Sequence, residues 1–380
     1  MTKETTTVVL VGGGTIIAGK EIMLLALGRG LREAGFNVEF ITTLWGGEGE
    51  FAARLKAAGF KFARIRLGFI SISLGWTPII WTLDQLRYWP SLVVGYLRAI
   101  KAAAPAAVVH TNWHHALLLM PFLNPRRDIY WNHEIVPNRP RYRRVFRAIA
   151  DRVAFMVCVS HTVARSLEIF GIDPAKIVVI HNCLPLEPPP SALGSTKPLR
   201  LGIVGQIGEW KGHGDALEAL ATLPGGAANA ILKIFGRSDS EYAAALKDKA
   251  ASLGVAGQVE WMGFVADQRE IFSQIDVCLM PSRVEESFGL AALEAGINGR
   301  PVICTALGGL PEIVKDGETG CLIEAGRPDQ LAAAIAKFVR RPELVIGMGA
   351  AARRRVDRDF SFAGFVEKFG LVVERLEQQD

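Results

Sequence analysis

A chain of 380 residues, half of them apolar and 21% charged, is longer than one hydrophobic core usually serves and too apolar for a disordered or fibrous protein. Its net charge of +5 favours anionic partners without naming one. No run reaches the roughly 18 uninterrupted apolar residues of a spanning helix, because Arg98 and Lys101 break the nearest approach, "SLVVGYLRAIKAAAPAAVV".

The polar lead of "MTKETTTVVLVGGG" and its short apolar run do not make a signal peptide, so a cytoplasmic protein is expected. Cys158, Cys183, Cys278, Cys304 and Cys321 form no CxxC pair and read as small core residues in a reducing compartment. In chain order, "TVVLVGG", "EIMLLALGRGLREAG" and "NVEFITT" predict strand, helix and strand, a βαβ unit and so a parallel sheet covered by helices. "AAVVHTN", "DIYWNHE", "FMVCVS" and "KIVVIHN" predict further strands. The stretch "LPLEPPPSALGSTKP", residues 184–198, reads as a linker. Beyond it the alternation restarts with "LRLGIVGQ", "AILKIFGR", "QVEWMGF", "VCLMPS", "PVICT" and "GCLIE". The predicted class is α/β, with one doubly wound domain over 1–183 and a second over 199–355. The last segment, 356–380, has helical apolar spacing and can pack on either half, the N-terminal one included.

Several stretches put chemistry at strand ends. In "VGGGTIIAGKE" the glycines lie between a strand and a helix, where backbone amides attract phosphate, although a tight turn explains them equally well. Gly12, Gly13, Gly14 and Gly19 do not have the GxGxxG spacing, which argues against a nicotinamide-dependent oxidoreductase. "VGQIGEWKGHGD" delivers Lys211 to a loop at the carboxyl end of the second sheet, a place to neutralise a diphosphate; alone, it would read as a solvated lysine.

"EESFGLAALEA" spans a strand-to-helix junction. A helix starting near Gly289 points the amides of Phe288, Gly289 and Leu290 outward, while Glu286 and Glu294 can accept from sugar hydroxyls. The plainer reading makes Glu286 a carboxylate at a helix N-terminus and Glu294 a solvated residue, which the apolar flanks of Glu294 disfavour. His133 in "WNHEIVP", and His110, His114 and His115 in "HTNWHH", follow strands and are candidate proton partners. No metal is expected, since the second half offers no partners at ligand spacing. Neither a GxSxG elbow nor a Walker sequence is present.

"VGQIGEWKG", "LKIFGRSD", "VEWMGFV", "DVCLMPSRVEESFGLAALEAGINGRPVICTALGGLPEIVKDGETGCLIE" and "DQLAAAIAKFV" closely resemble the retaining glycosyltransferases of family four. The resemblance is dense over residues 199 to 340 and thinner before them, through "GGGT", "AGFNVEFITT", "NHE" and "CVSHTVARSLEIFGIDPAKIVVIHN". It implies the GT-B architecture, two Rossmann-like domains facing across a cleft. It also implies roles: Glu286 near the donor-sugar hydroxyls, Glu294 on the nucleotide ribose, and the Phe288–Gly289–Leu290 backbone on sugar and phosphate. Lys211 would grip the diphosphate with Gly14 beside it, and His133 would stand near the donor sugar. One departure is Gly205-Gln206, where the family usually has Gly-Arg; the missing charge implies weaker leaving-group stabilisation or a substitute cation such as Arg283 or Arg237.

The function this implies is metal-independent transfer of a hexose from a nucleotide-diphosphate sugar, UDP or GDP, to a glycan or lipid-linked acceptor, with retention, in envelope or exopolysaccharide synthesis. A catalytically silent sugar-nucleotide-binding protein is the alternative, motivated by Gln206. Residues 139–152, "RPRYRRVFRAIADR", with Trp76, Trp81, Trp89 and Trp113 near them in sequence, carry an expectation of peripheral contact at the inner membrane face; a solvated basic helix is the plainer reading. Nothing resembles a nucleic-acid recognition motif.

Overall fold

The computed structural model describes residues 6–14, 17–45, 49–68, 70, 76–185 and 197–378; the side chains at 76–79 and 81 lie outside that description. Most of the expected linker, and the side chains of Trp76 and Trp81, therefore fall outside the described residues. The chain divides into two compact units, residues 1–184 with 362–380, and residues 185–361.

The first unit carries a parallel sheet of β1 (Thr7–Val11), β2 (Asn37–Thr43), β3 (Lys61–Ile65), β4 (Ala107–His110), β5 (Asp128–Asn132), β6 (Phe155–Cys158) and β7 (Ile177–Val179). Their order is β3-β2-β1-β4-β5-β6-β7. The second carries β8 (Leu199–Val204), β9 (Ala230–Phe235), β10 (Val259–Gly263), β11 (Val277–Met280), β12 (Val302–Thr305) and β13 (Gly320–Ile323), in the order β10-β9-β8-β11-β12-β13. Central strands such as β4, β6, β11 and β12 are buried at every residue, as expected of strands covered by helices on both faces. Strand β3 is absent from the sequence reading. It lies at the sheet edge and carries Lys61, which pairs with Glu39 of β2 at 2.6 Å, so its apolar run is interrupted.

The strand order reverses between β1 and β4 and again between β8 and β11. At such reversals the loops leaving the carboxyl ends diverge and open a crevice. Gly12–Gly14 follow β1 at the first; Gly205–Lys211 and Pro281–Glu286 follow β8 and β11 at the second.

The sequence division at 355 falls six residues early. Helix Glu343–Asp359 belongs to the second unit, where Gly296 lies so close to Val356 that an added Cβ would come within 2.7 Å of it. Phe360 continues that packing, 6.1 Å from the Phe288 ring. Helix Phe362–Glu377 then packs in the first unit, with Val366 over Gly30 and with Phe365 and Phe369 around the fully buried Trp131. All five cysteines are buried and free. Among the described residues no helix is long and apolar enough to cross a membrane.

Candidate functional site

In the second unit the loops after β8 and β11 meet backbone to backbone. Gly212 has φ +71, and a Cβ there would lie 1.9 Å from the Pro281 carbonyl oxygen, so only glycine permits the approach. This contact sets Lys211 against Glu286: Nζ lies 2.6 Å from Oε1, and Ser282 Oγ donates to the same oxygen at 2.6 Å. The main chain of Glu286 is fixed from behind. Gly309 N donates to its carbonyl at 2.7 Å, and a Cβ on Gly308 (φ +60) would sit 2.2 Å from that oxygen. Thr305 Oγ1 holds the Ser282 carbonyl at 2.9 Å.

Helix Leu290–Ile297 begins immediately after Gly289, which caps it with φ +104. Amides in a first helical turn have no intrahelical acceptor, so this turn offers donors at its open end. The Phe288 ring is buried against Phe360, which takes its side chain out of reach of a ligand.

Glu294 sits one turn into the helix and is 8% exposed. Gln268 Nε2 donates to its Oε1 at 2.6 Å, and burial pushes its carboxyl up to about 8. It is thus largely protonated near neutral pH.

Gly205 (φ +136) follows β8, and its carbonyl oxygen would lie 2.2 Å from a Cβ on Gly236. Gln206 beside it is exposed. Of the two cations considered as substitutes for its missing charge, Arg283 is committed to a carboxylate and Arg237 is exposed. Arg283 grips Asp215 through two bonds of 2.5 and 2.9 Å, and Arg237 lies 5.8 Å from the Phe264 ring centre. His213 is buried near the Gly208 carbonyl and pushed down to about 4, so it remains neutral.

In the first unit, Gly12 donates to the Ile41 carbonyl and Gly13 takes φ +95, which brings the half-buried Gly14 to the end of β1. His133 follows β5, with its ring 4.3 Å from that of Trp131. Its Nε2 is out of solvent and has no hydrogen-bond partner among the described residues; burial, helped by the charge of Lys20, pushes the imidazole down to about 3. Burial, helped by the charge of the same lysine, pushes His114 down to about 4 and His115 well below the ordinary imidazole value. His110 is different. It lies 2.7 Å from Asp128 in a fully buried pair that Arg127 and Tyr96 complete, a structural network.

The second unit therefore brings Gly205, Gln206, Lys211, Glu286, Phe288, Gly289, Leu290 and Glu294 to the carboxyl end of one sheet. Gly14 and His133 lie at the carboxyl end of the other. Sequence reading missed Ser282, Gln268, Gly308, Gly309 and Lys20. Gln268, Gly308 and Gly309 are partners supplied from other elements; Ser282, four residues before Glu286 in the same loop, and Lys20, beside the flagged glycine loop, had a local signal.

Residues 17–188 match the family described as Glycosyltransferase Family 4, and residues 190–355 match Glycosyl transferases group 1. The D-inositol 3-phosphate glycosyltransferase of Streptomyces griseus is 32% identical over 321 residues, which cover 75% of this chain and 65% of that one. The chain thus spans less than two thirds of that relative's length. Among solved structures, Anabaena Alr3699/HepE in complex with UDP-glucose superposes with a TM-score of 0.80 at 17% identity, over 97% of this chain and 99% of that one. Sucrose-phosphate synthase from Thermosynechococcus elongatus gives 0.80 at 20% identity, over 99% and 100%. The two family matches meet at the boundary between the domains and run from residue 17 to residue 355, and the chain belongs to the family four glycosyltransferases, with their GT-B fold.

Proposed function

We propose that the protein transfers a hexose, with retention and without a metal ion, from a nucleotide-diphosphate sugar to a glycan or lipid-linked acceptor in envelope or exopolysaccharide synthesis. The observation that carries this reading is the Lys211–Glu286 pair at the β8/β11 reversal, beside the helix that Gly289 opens. Each side chain satisfies the other. An arriving diphosphate takes Lys211, and the released Glu286 carboxylate accepts from sugar hydroxyls. As the bond from the anomeric carbon to phosphate breaks, Lys211 and the first-turn amides stabilise the charge gathering on the departing diphosphate. Glu294 receives the ribose, and neutral His133 keeps the role near the donor sugar that the family resemblance gives it. The acceptor attacks on the face that the diphosphate leaves.

UDP and GDP are the proposed bases, and UDP-glucose is the first donor to test because the Anabaena structure holds it. The name of the Streptomyces relative makes a polyol phosphate the first acceptor to add. The proposed place of action is the cytoplasmic side of a membrane, reached in part through residues 139–152.

A thermal-shift series of UDP-, GDP-, ADP- and TDP-sugars on the wild type and Glu294→Ala tests the donor site by mass action. One nucleotide class should stabilise the wild type and not the variant. Stabilisation of both alike would remove Glu294 from the site. The exposed, uncharged Gln206 favours one rival, a protein that binds sugar nucleotides without turnover. Slow release of nucleoside diphosphate from the bound donor separates the two, since a pure binder releases none. If that release is weak, Gln206→Arg should raise it.

A further inference from the structure

We infer that one face of the first unit is a docking surface for an anionic lipid bilayer, with an apolar helical pair that enters the interface and an arginine-rich helix that lies on it. Ile80 and Leu83 on helix Trp76–Leu86 are 60% and 61% exposed, and Leu86 is 43% exposed. After only two connecting residues, helix Trp89–Ala103 adds Val94 and Leu97, 45% and 43% exposed. Among the described residues, five of twelve exposed large hydrophobics thus fall within residues 80–97, too dense a cluster for scattered surface positions.

The second helix is divided by face. Leu92 and Tyr96 are buried and Gly95 packs on Ile65, so Val94, Leu97, Arg98 and Lys101 share the opposite, outward side. Aliphatic groups interleaved with cations, on convex helices and not in a groove, complement a bilayer with anionic headgroups. Asp84 is the single acidic residue from 76 to 104, and it is paired with Arg87 at 3.2 Å.

The arginine helix lies on the same side. Right-handed crossovers put the helices after β1 and β2 on one face of this sheet, and those after β3, β4 and β5 on the other. Contacts run across that second face. Trp89 Nε1 donates to the Leu118 carbonyl at 2.9 Å, its ring lies 6.3 Å from that of Phe122, and Trp113 meets Tyr142 of helix Pro140–Ala150 at 6.1 Å. That helix turns Phe146, Ile149 and Ala150 into the core and leaves its arginines exposed. It has charge to offer but nothing to insert, and the 80–97 segment supplies what it lacks. The opposite face of the sheet is covered by helix Phe362–Glu377 against Gly19–Glu33.

The inference names where a lipid-linked acceptor would be met, and it is tested without donor or turnover, so its failure leaves the transfer reading intact. Flotation should show the full-length chain on vesicles of phosphatidylcholine and phosphatidylglycerol and not on phosphatidylcholine alone, with binding lost at about 0.5 M salt. Leu83→Glu/Leu97→Glu and Arg143→Glu/Arg144→Glu should each weaken partitioning about tenfold or more, at an unchanged melting midpoint. Because the native cysteines are all buried, Leu83→Cys can be labelled selectively with an environment-sensitive fluorophore. Its emission should shift to the blue on anionic vesicles, while the same label at Arg341→Cys in the second unit should not respond.

Absence of flotation would overturn the inference. So would the glutamate pair at 83 and 97 floating like the wild type, or a label at 83 that stays in an aqueous environment, since either makes the contact purely electrostatic. Loss of a dimer in that glutamate pair with vesicle binding intact would assign the apolar face to self-association instead.

Discussion

Replacing Glu294 by glutamine keeps the size of the side chain and leaves an acceptor for Gln268, but removes the ionisation that burial opposes. The carboxyl stands at about 8 in the folded chain against a reference of 4.5. One pH unit is worth about 1.4 kcal/mol, so the whole gap is on the order of 5 kcal/mol. The sign follows from proton binding. Between these two values the native state holds a proton that the unfolded state has released, so this contribution to stability is complete below the lower value and is lost as pH rises through about 8. At pH 7 roughly 3 kcal/mol of it is gone, and Glu294→Gln should be more stable than the wild type by about that amount, or ~6–12 °C in the melting of the second unit. Denaturant melts of both proteins from pH 5 to 9 measure this: the curves should converge at the acid end, separate up to about pH 8 and run parallel above it. Donor binding should move oppositely. If ribose hydroxyls donate to the carboxylate, binding expels the proton, so wild-type affinity rises with pH between 6 and 8 while the weaker binding of the variant does not. Stability curves that stay parallel from pH 5 to 8 would refute the claim that Glu294 is held protonated. Equal donor affinity in both proteins would refute its contact with the nucleotide.

Lys211→Ala should weaken donor binding about ten- to a hundredfold by calorimetry, yet change stability by no more than ~1 kcal/mol, because the pair is partly solvated. A wild-type Kd for UDP-glucose in that variant would take the lysine off the diphosphate. Gly308→Ala places a Cβ against the Glu286 carbonyl in left-handed backbone and should cost about 2 kcal/mol or more, with donor affinity falling too. His133 is neutral throughout the working range, so His133→Ala should lower turnover without removing a limb of the pH profile between 5 and 8; loss of such a limb would show that the imidazole titrates there.

The sheets were readable because central parallel strands are short continuous apolar runs, as in "VCLM" of β11 and "VICT" of β12. The edge strand "KFARI" was not, because its outer side meets water and takes charge. The boundary at 361 was hidden by two successive helices with similar apolar spacing, separated only by packing of Phe360 on Phe288. At the site, Lys211, Glu286 and Glu294 were visible as polar residues where a packing problem needs none, and the apolar flanks of Glu294 already announced its burial. Gln268 and the Gly308–Gly309 turn were not visible, since each acts on a residue brought to it by the fold, whereas Ser282 stands only four positions before Glu286. The commitment of Arg283 to Asp215, 68 positions away, is likewise a fact of three dimensions only.

Helix Phe362–Glu377 gives the two units different histories during synthesis. Residues 185–361 form a continuous stretch and can close as soon as they emerge from the ribosome. The first unit emerges earlier but lacks its last helix until the remainder of the chain has been translated, so Trp131 waits with the face that Phe365 and Phe369 will cover still exposed. The unit made first is therefore the unit finished last. A stop codon just before residue 362 would spare the fold of the second unit and leave the first with an open, aggregation-prone seam along Gly19–Glu33.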